Sequence, residues 1–283
     1  MYRTLLITVE HQSPDLTARL FSSVRRAYTQ SDLFLLTVQN GPDSLVTDAP
    51  CSSQKSDENS WVLGLGPNRG YLGSAKQGLA WFKEKQPDSP DWIIVCNNDI
   101  RIEQPDFFEH LNQLDPRSAG VLAPRIISCK TGLDQNPFME RRLGRLRVAE
   151  LRFWLRSYYS ALLHEQMSTW KHRIMSLTRV SARRKERTDQ PRQIYAPHGS
   201  FMIFSRQFFA CGGFLDGGFF LFHEEISIAE IARKVGFPIL YYPKLSVLHD
   251  EHSSTGARFT RAKYECQKRS FRHLTTDYLA DLQ

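Results

Sequence analysis

Apolar residues along the first third of the chain fall in short unbroken runs: RTLLITV at 3–9, LFLLTVQN at 33–40, WVLGLG at 61–66 and DWIIVCNND at 91–99. Runs of this length, closed by polar or glycine-rich residues, predict strands buried on both faces. Before the last run, Leu72, Ala75, Leu79 and Phe82 recur at helical spacing and predict an amphipathic helix. Strands alternating with helices up to about residue 128 predict an α/β protein with a mostly parallel central sheet flanked by helices, joined by right-handed crossovers. Ligands of such sheets sit at the carboxyl ends of the strands, which directs attention to Gln39-Asn40 and Asn97-Asn98-Asp99.

The rhythm breaks over 130–192, where ELRFWLRSYYSALLHEQMSTWKHRIMSL reads as helical, with aromatic and aliphatic residues interleaved with Arg and Lys. A strand resumes in YAPHGSFMIFSR. A glycine-rich GGFLDGGFF, a helix opening at Glu224, a strand FPILYYP and a polar, helical 260–283 follow. No internal repeat and no low-complexity linker appears. The chain therefore reads as a single domain, 1–283, in four stretches: 1–128, 130–192, 193–256 and 257–283.

Charge changes this picture once it is located. The chain of 283 residues carries a net +7, but fourteen Lys and Arg against four Asp and Glu between Arg141 and Arg192 give that stretch +10 and leave −3 for the rest. The protein is a mildly acidic body with one basic helical insertion. Five scattered cysteines, odd in number and none spaced C-x-x-C, argue against a zinc ribbon or disulfide framework and suit a reducing cytoplasm. The first apolar run reaches Glu10 too soon for a signal peptide or a membrane span.

Four short segments could carry chemistry. Asn97-Asn98-Asp99 places a carboxylate at the ligand edge of the sheet, suited to a divalent cation on a diphosphate, though the same residues make good turns. NRGYLGSAKQG, 68–78, brings Gly70 and Gly73 to the mouth of a helix, where backbone can approach an anion or simply turn tightly. In VLHDEHSST, 247–255, His249 ends an apolar strand, and with His252, Asp250 and Glu251 it offers metal or phosphate ligands. Glu224-Glu225 follows four apolar residues and a histidine, as favourable first-turn carboxylates or as a general base in an apolar pocket.

Taken in order, NRGYLGSAKQG, CNND, HGSFMIF, GGFLD, FFLFHEE and PKLSVLH resemble the motif series of family 2 glycosyltransferases of the GT-A fold, from the first strand to about Gly256. The resemblance implies transfer of a sugar from a nucleotide diphosphate sugar to an acceptor hydroxyl, usually with inversion, and a Mg²⁺ or Mn²⁺ cofactor. It makes 1–128 the nucleotide-sugar-binding half and 193–256 the acceptor and catalytic half. Asp99 and His249 would hold the metal. Glu225 falls on the family's catalytic Asp, with Glu224 before it. Glu10, Gln39, Asn40, Asn68, Gly70, Asn97, Asn98, Gly199 and Ser200 would line the nucleotide-sugar site.

Three departures stand out. Glu225 replaces the usual Asp, Gln39 stands where an Asp commonly reads the base, and Ser227 and Glu230 replace an expected Asp and Arg, removing an ion pair. The Glu-Glu variant resembles enzymes of bacterial capsule, exopolysaccharide or O-antigen assembly, whose acceptors are glycans or polyprenyl-diphosphate-linked glycans and whose donors are UDP- or dTDP-sugars. Such an enzyme is expected in the cytoplasm, peripheral at the inner face of the membrane. Residues 141–187, with Trp, Tyr and Phe among basic residues, would then meet an anionic bilayer, or form a packed helical hairpin with a solvated face. Two rival readings are a nucleic-acid-binding protein and a catalytically inactive sugar-nucleotide-binding relative. Confinement of basic charge to one segment and the lack of any RRM, KH or helix-turn-helix signature argue against nucleic acid.

Overall fold

The structure is a computed structural model that describes residues 2–28, 32–41, 52–57, 59–86, 88–168, 190–251 and 259–282. The predicted first half is present as β1 (Thr4–Glu10), α1 (Pro14–Ala27), β2 (Leu33–Asn40), β3 (Ser52–Asp57), β4 (Ser60–Leu65), α2 (Tyr71–Lys85) and β5 (Trp92–Asn97). After it come β6 (Ile100–Arg101), α3 (Phe107–Asn112) and β7 (Val121–Ser128). The insertion contributes α4 (Arg145–Trp154) and a helix α5 over 158–168. The chain closes with β8 (Arg192–Ile194), β9 (Phe201–Ser205), α6 (Arg206–Ala210), α7 (Glu224–Lys234), β10 (Ile239–His249) and α8 (Arg261–Asp277).

The sheet runs β3-β4-β2-β1-β5-β9-β7-β10-β6, with β8 on β10. β4, β2, β1 and β5 are parallel, so their carboxyl ends form one edge. β9 enters antiparallel between β5 and β7, which makes the second half of the sheet mixed. Register across β1 and β2 sets Glu10 beside Gln39, and the β6–β10 pairing sets His249 beside Ile100. That second pairing carries His249 to the residue after Asp99, although the two are far apart in sequence.

Alternate side chains of the central strands feed two apolar layers. Leu5, Ile7, Leu36 and Val38 pack with Leu72, Ala75, Leu79 and Phe82 of α2 on one face. Leu6 and Leu35 pack with Leu20 and Val24 of α1 and with Phe107 and Phe108 on the other. The helical spacing read in α2 is the spacing of its buried face.

The described helices of the insertion and the C-terminal helix belong to the packed body, while residues 169–189 of the insertion lie outside the described residues. Val148, Leu155 and Ala161 are buried in the α2-side core with Tyr264 and Phe271 of α8. Tyr158 stacks on Phe259 at 6.0 Å, and Tyr264 donates its hydroxyl to Leu155 O at 3.2 Å. α8 also pins the glycine-rich turn: Asp216 accepts from the Tyr278 hydroxyl at 2.5 Å and lies 2.8 Å from His273 Nε2, and Ser270 donates to Leu221 O at 2.7 Å. No helix among the described residues is long and apolar enough to cross a membrane.

Candidate active site

Strand ends and helix mouths converge at the carboxyl edge. Asn40, last in β2, is buried and fully committed. Its Nδ2 donates to Asn68 Oδ1 at 2.6 Å, while its Oδ1 accepts from Arg69 N at 2.9 Å and Ser74 Oγ at 2.8 Å. Asn68 Oδ1 also accepts from Gly70 N at 2.9 Å. This knot ties β2 to the turn opening α2. Gly70 adopts φ +72°, and a Cβ there would stand 2.4 Å from Phe220 O, so only glycine allows the turn opening α2 to touch the FFLFHEE segment.

Several residues expected to face a nucleotide spend their polar groups on the protein. Glu10 accepts from Thr17 Oγ1 at 2.8 Å. Asn98 Nδ2 donates to Ser13 O, Ser13 Oγ and Thr17 Oγ1 at 3.1, 2.8 and 3.2 Å. Ser200 Oγ lies 2.9 Å from His198 Nδ1, and Asn97 N donates to Ser200 O at 2.9 Å. The amides of Asn40 and Asn98 are thus engaged by protein partners at the strand ends. Gln39 is exposed beside them.

Asp99 and His249, both buried, meet at 3.3 Å between Oδ1 and Nε2, and Asp99 Oδ1 has no hydrogen-bond partner. The histidine is oriented from behind: Nδ1 lies 2.7 Å from Gln135 Oε1, while Gln135 Nε2 donates to Glu251 Oε1 at 2.8 Å. That anchoring fixes Gln135 as the acceptor, places the imidazole proton on Nδ1 and turns the Nε2 lone pair toward Asp99. Two buried lone-pair atoms so close fit a shared cation, since adjacent ligands of an octahedral ion with bonds of about 2.1 Å stand about 3 Å apart. Among the described residues no group of three His, Cys, Asp or Glu offers a fuller cage. Such a pair suits a cation that takes its other ligands from a diphosphate and water. Asp250 is committed to Arg101 and Arg19, each at 3.0 Å, and Glu251 supports Gln135, so neither joins the pair. His252 lies outside the described residues.

The carboxylates open α7. Phe222 and His223 both have positive φ, 71° and 69°, a double left-handed step that costs about 1–3 kcal/mol per residue and swings the chain into the helix. Glu224 is buried and Glu225 half-buried. Burial raises both carboxyls, and the charge of Glu225 pushes Glu224 further, to about 8. The backbone N–H groups of Glu225 and Gly199 work the other way on Glu225. Gly199 leaves room for that carboxylate, since a Cβ would stand 2.8 Å from Glu225 Oε1.

Three residues outside the expected set complete the site. His198 joins the two halves: it precedes Gly199 and packs edge-on against His249 at 5.9 Å, and burial holds it down to about 4. Tyr71, beside Gly70, has a buried hydroxyl with no partner. After burial itself, its ionisation is opposed by Cys96, Glu224, Glu225 and Asp99. His223 Nε2 is likewise buried and unpartnered. The available sequence signal for His198 was its place ahead of Gly199-Ser200, and for Tyr71 its place after Gly70.

Ser227 and Glu230 make no pair with each other, and each has another partner. Ser227 donates to Glu224 O at 2.8 Å, and fully buried Glu230 accepts from Arg142 at 2.7 and 3.0 Å, from Tyr195 at 2.6 Å and from Arg233 at 2.8 Å. The insertion supplies the cation, and Arg142 continues to Asp281 at 2.6 Å.

No family model matches the chain. It is 25% identical over 240 residues to the N-acetylglucosaminyl-diphospho-decaprenol L-rhamnosyltransferase of Mycobacterium tuberculosis, in strains CDC 1551 / Oshkosh and ATCC 25618 / H37Rv, covering 81% of this chain and 70% of the relative. The fold is similar to that of GalNAc-T7 crystallised with UDP, GalNAc and Mn²⁺, with a TM-score of 0.60 at 12% identity over 100% of this chain and 50% of the other. It is also similar to S. aureus TarS, with a TM-score of 0.50 at 10% identity over 88% of this chain and 36% of the other. The chain thus shares the GT-A glycosyltransferase fold and is similar in sequence to a rhamnosyltransferase.

Proposed function

We propose that the protein transfers a sugar from a UDP- or dTDP-sugar to a hydroxyl of a polyprenyl-diphosphate-linked glycan, with inversion, in assembly of a bacterial capsule, exopolysaccharide or O-antigen. The observation that carries this reading is the orphaned Asp99 Oδ1 facing His249 Nε2 at 3.3 Å, joined through His198-Gly199 to the Glu224–Glu225 pair. The M. tuberculosis relative, by its name, acts on a diphospho-decaprenol-linked sugar, which supports the acceptor class.

Asp99 and His249 would hold Mg²⁺ or Mn²⁺, which when bound neutralises charge on the departing diphosphate. Glu225 is the base. It ionises before Glu224 because the helix mouth and the Gly199 N–H favour its charge, while that charge keeps Glu224 protonated. The acceptor oxygen attacks the anomeric carbon and gives its proton to Glu225 as the bond to the diphosphate oxygen breaks. Phe219, Phe220 and Phe222, around the turn before the helix, limit water beside the carboxylates. Asn40, Asn68 and Gly70 shape the nucleotide wall, with Glu10, Gln39, Asn97, Asn98 and Ser200 at the strand ends. The protein works in the cytoplasm, at the inner face of the membrane.

The test is thermal stabilisation by UDP-, dTDP- and GDP-sugars with and without Mn²⁺. Metal-dependent stabilisation by UDP- or dTDP-sugars is expected. Stabilisation by none of them, with or without metal, contradicts the proposal.

A further inference from the structure

The insertion leaves large apolar side chains uncovered. Leu146 and Phe153 on α4 are 88% and 57% exposed, and Tyr159, Leu163 and Met167 on α5 are 74%, 51% and 54% exposed. Their spacing is not scattered. Residues 146 and 153 are two turns apart, and 159, 163 and 167 follow at four-residue steps, so each helix carries one apolar stripe. The inner faces of both helices are occupied, since Val148, Leu155 and Ala161 are buried in the core. The open stripes are therefore second apolar faces, which packing within the described residues does not explain.

Charge selects the occupant. Arg145, Arg147, Arg152 and Arg156 are exposed on and just after α4. Glu150 is held by Arg147 at 2.5 Å, leaving Glu165 as the other acidic residue of the two helices. A second copy of the chain seated here would bring two such arginine groups together. An anionic bilayer supplies what both features need, lipid phosphates for the guanidinium groups and an acyl boundary for the apolar side chains.

We propose that α4 and α5 form a docking face for an anionic lipid bilayer, with the Leu146–Phe153 and Tyr159–Leu163–Met167 stripes entering the interfacial region and the arginines of α4 against the headgroups. This deepens the acceptor half of the proposed function and rests on its lipid-linked substrate. α8 links the two sites. Its Tyr264 packs on Leu155 beside the docking face, and its His273, about 14 Å further along the helix, holds Asp216 in the turn before Glu224. A docked protein thus holds its catalytic loop at a fixed place above the headgroups from which a polyprenyl-linked glycan projects.

The experiment is co-sedimentation of the full chain with phosphatidylglycerol–cardiolipin vesicles and with phosphatidylcholine vesicles. It compares wild type, Phe153→Glu/Leu163→Glu and Arg152→Glu/Arg156→Glu, with the nucleotide-sugar thermal shift measured in parallel. Wild type binds the anionic vesicles and not the neutral ones, and each double variant loses about tenfold or more in partition at unchanged nucleotide-sugar stabilisation. Wild type that ignores anionic vesicles, or variants that bind as wild type does, overturns the docking face. So does a wild-type dimer, free of vesicles, that Phe153→Glu/Leu163→Glu dissociates. Loss of the nucleotide-sugar shift with vesicle binding intact would instead strike the glycosyltransferase reading.

Discussion

Gly199→Ala perturbs the proposed base, Glu225, without touching its chemistry. The added methyl would stand 2.8 Å from Glu225 Oε1, 3.4 Å from Cδ and 3.5 Å from Cγ. Ordinary contact begins near 3.4 Å, so Oε1 must retreat by about 0.6 Å, while the other two atoms already stand at ordinary contact. The displaced group is the end of a flexible side chain, and Gly199 has no positive φ, so the backbone stays unstrained. The stability cost is then about 1 kcal/mol or less, a melting shift of about 2–4 °C. Catalysis is less tolerant, because a misplacement of this order costs about 10- to 100-fold in rate, or about 1.4–2.7 kcal/mol of barrier. Steady-state kinetics with a nucleotide-sugar donor should show kcat down by that factor, while the donor KM and the metal-dependent thermal shift stay within about twofold. An unchanged kcat would refute the placement of the base over Gly199, and a collapse of Tm would refute the claim that the site absorbs the methyl locally.

Other consequences follow from the same contacts. Glu224 carries a folded pKa raised to about 8 by burial and by Glu225, so between about 4.5 and 8 the folded state binds more protons than the unfolded chain and stability falls as pH rises. Glu224→Gln, which keeps the neutral form, should therefore raise Tm at pH 8 and leave it nearly unchanged at pH 5; a gain independent of pH would contradict the assignment. Tyr71→Phe removes a buried hydroxyl that has no protein partner, so the free protein should melt at the same or a higher temperature. If the donor or acceptor satisfies that hydroxyl, kcat/KM should fall about tenfold, and parallel assays of melting and turnover separate the two effects. Arg142→Ala strips one of two cations from fully buried Glu230 and cuts its own link to Asp281. A loss of about 2–3 kcal/mol in urea unfolding is expected, with a change below 0.5 kcal/mol showing that Arg233 alone suffices.

The features legible in the sequence are those that depend on local period and strand ends. Leu72, Ala75, Leu79 and Phe82 announce the buried face of α2, and apolar runs ending at Glu10, Asn40 and Asn97 mark the carboxyl edge of the parallel strands, because burial on both faces leaves no alternation to misread. Glu224 opens α7 as its acidic first turn suggests. Legibility stops where a residue's role is set by a distant partner. His198 gains its place from His249, Gln135 acts through an imidazole 114 residues away, and Glu230 takes Arg142 from 88 residues upstream. The antiparallel entry of β9 is equally non-local, since it follows from where the chain returns after the insertion. The insertion reads as basic and helical, but only its packing separates the buried Val148–Leu155 side from the open Leu146–Phe153 side.

In the proposed mechanism Glu225 takes the acceptor's proton while Asp99 and His249 hold the metal-bound diphosphate. Its most direct test is single-turnover sugar transfer by Glu225→Gln beside Glu224→Gln, with Mn²⁺-dependent binding of the nucleotide sugar measured on the same samples. The predicted result is that Glu225→Gln binds the metal and nucleotide as wild type does and loses transfer by at least about a thousandfold, whereas Glu224→Gln retains most of it. Full loss in Glu224→Gln with transfer surviving in Glu225→Gln would contradict the account.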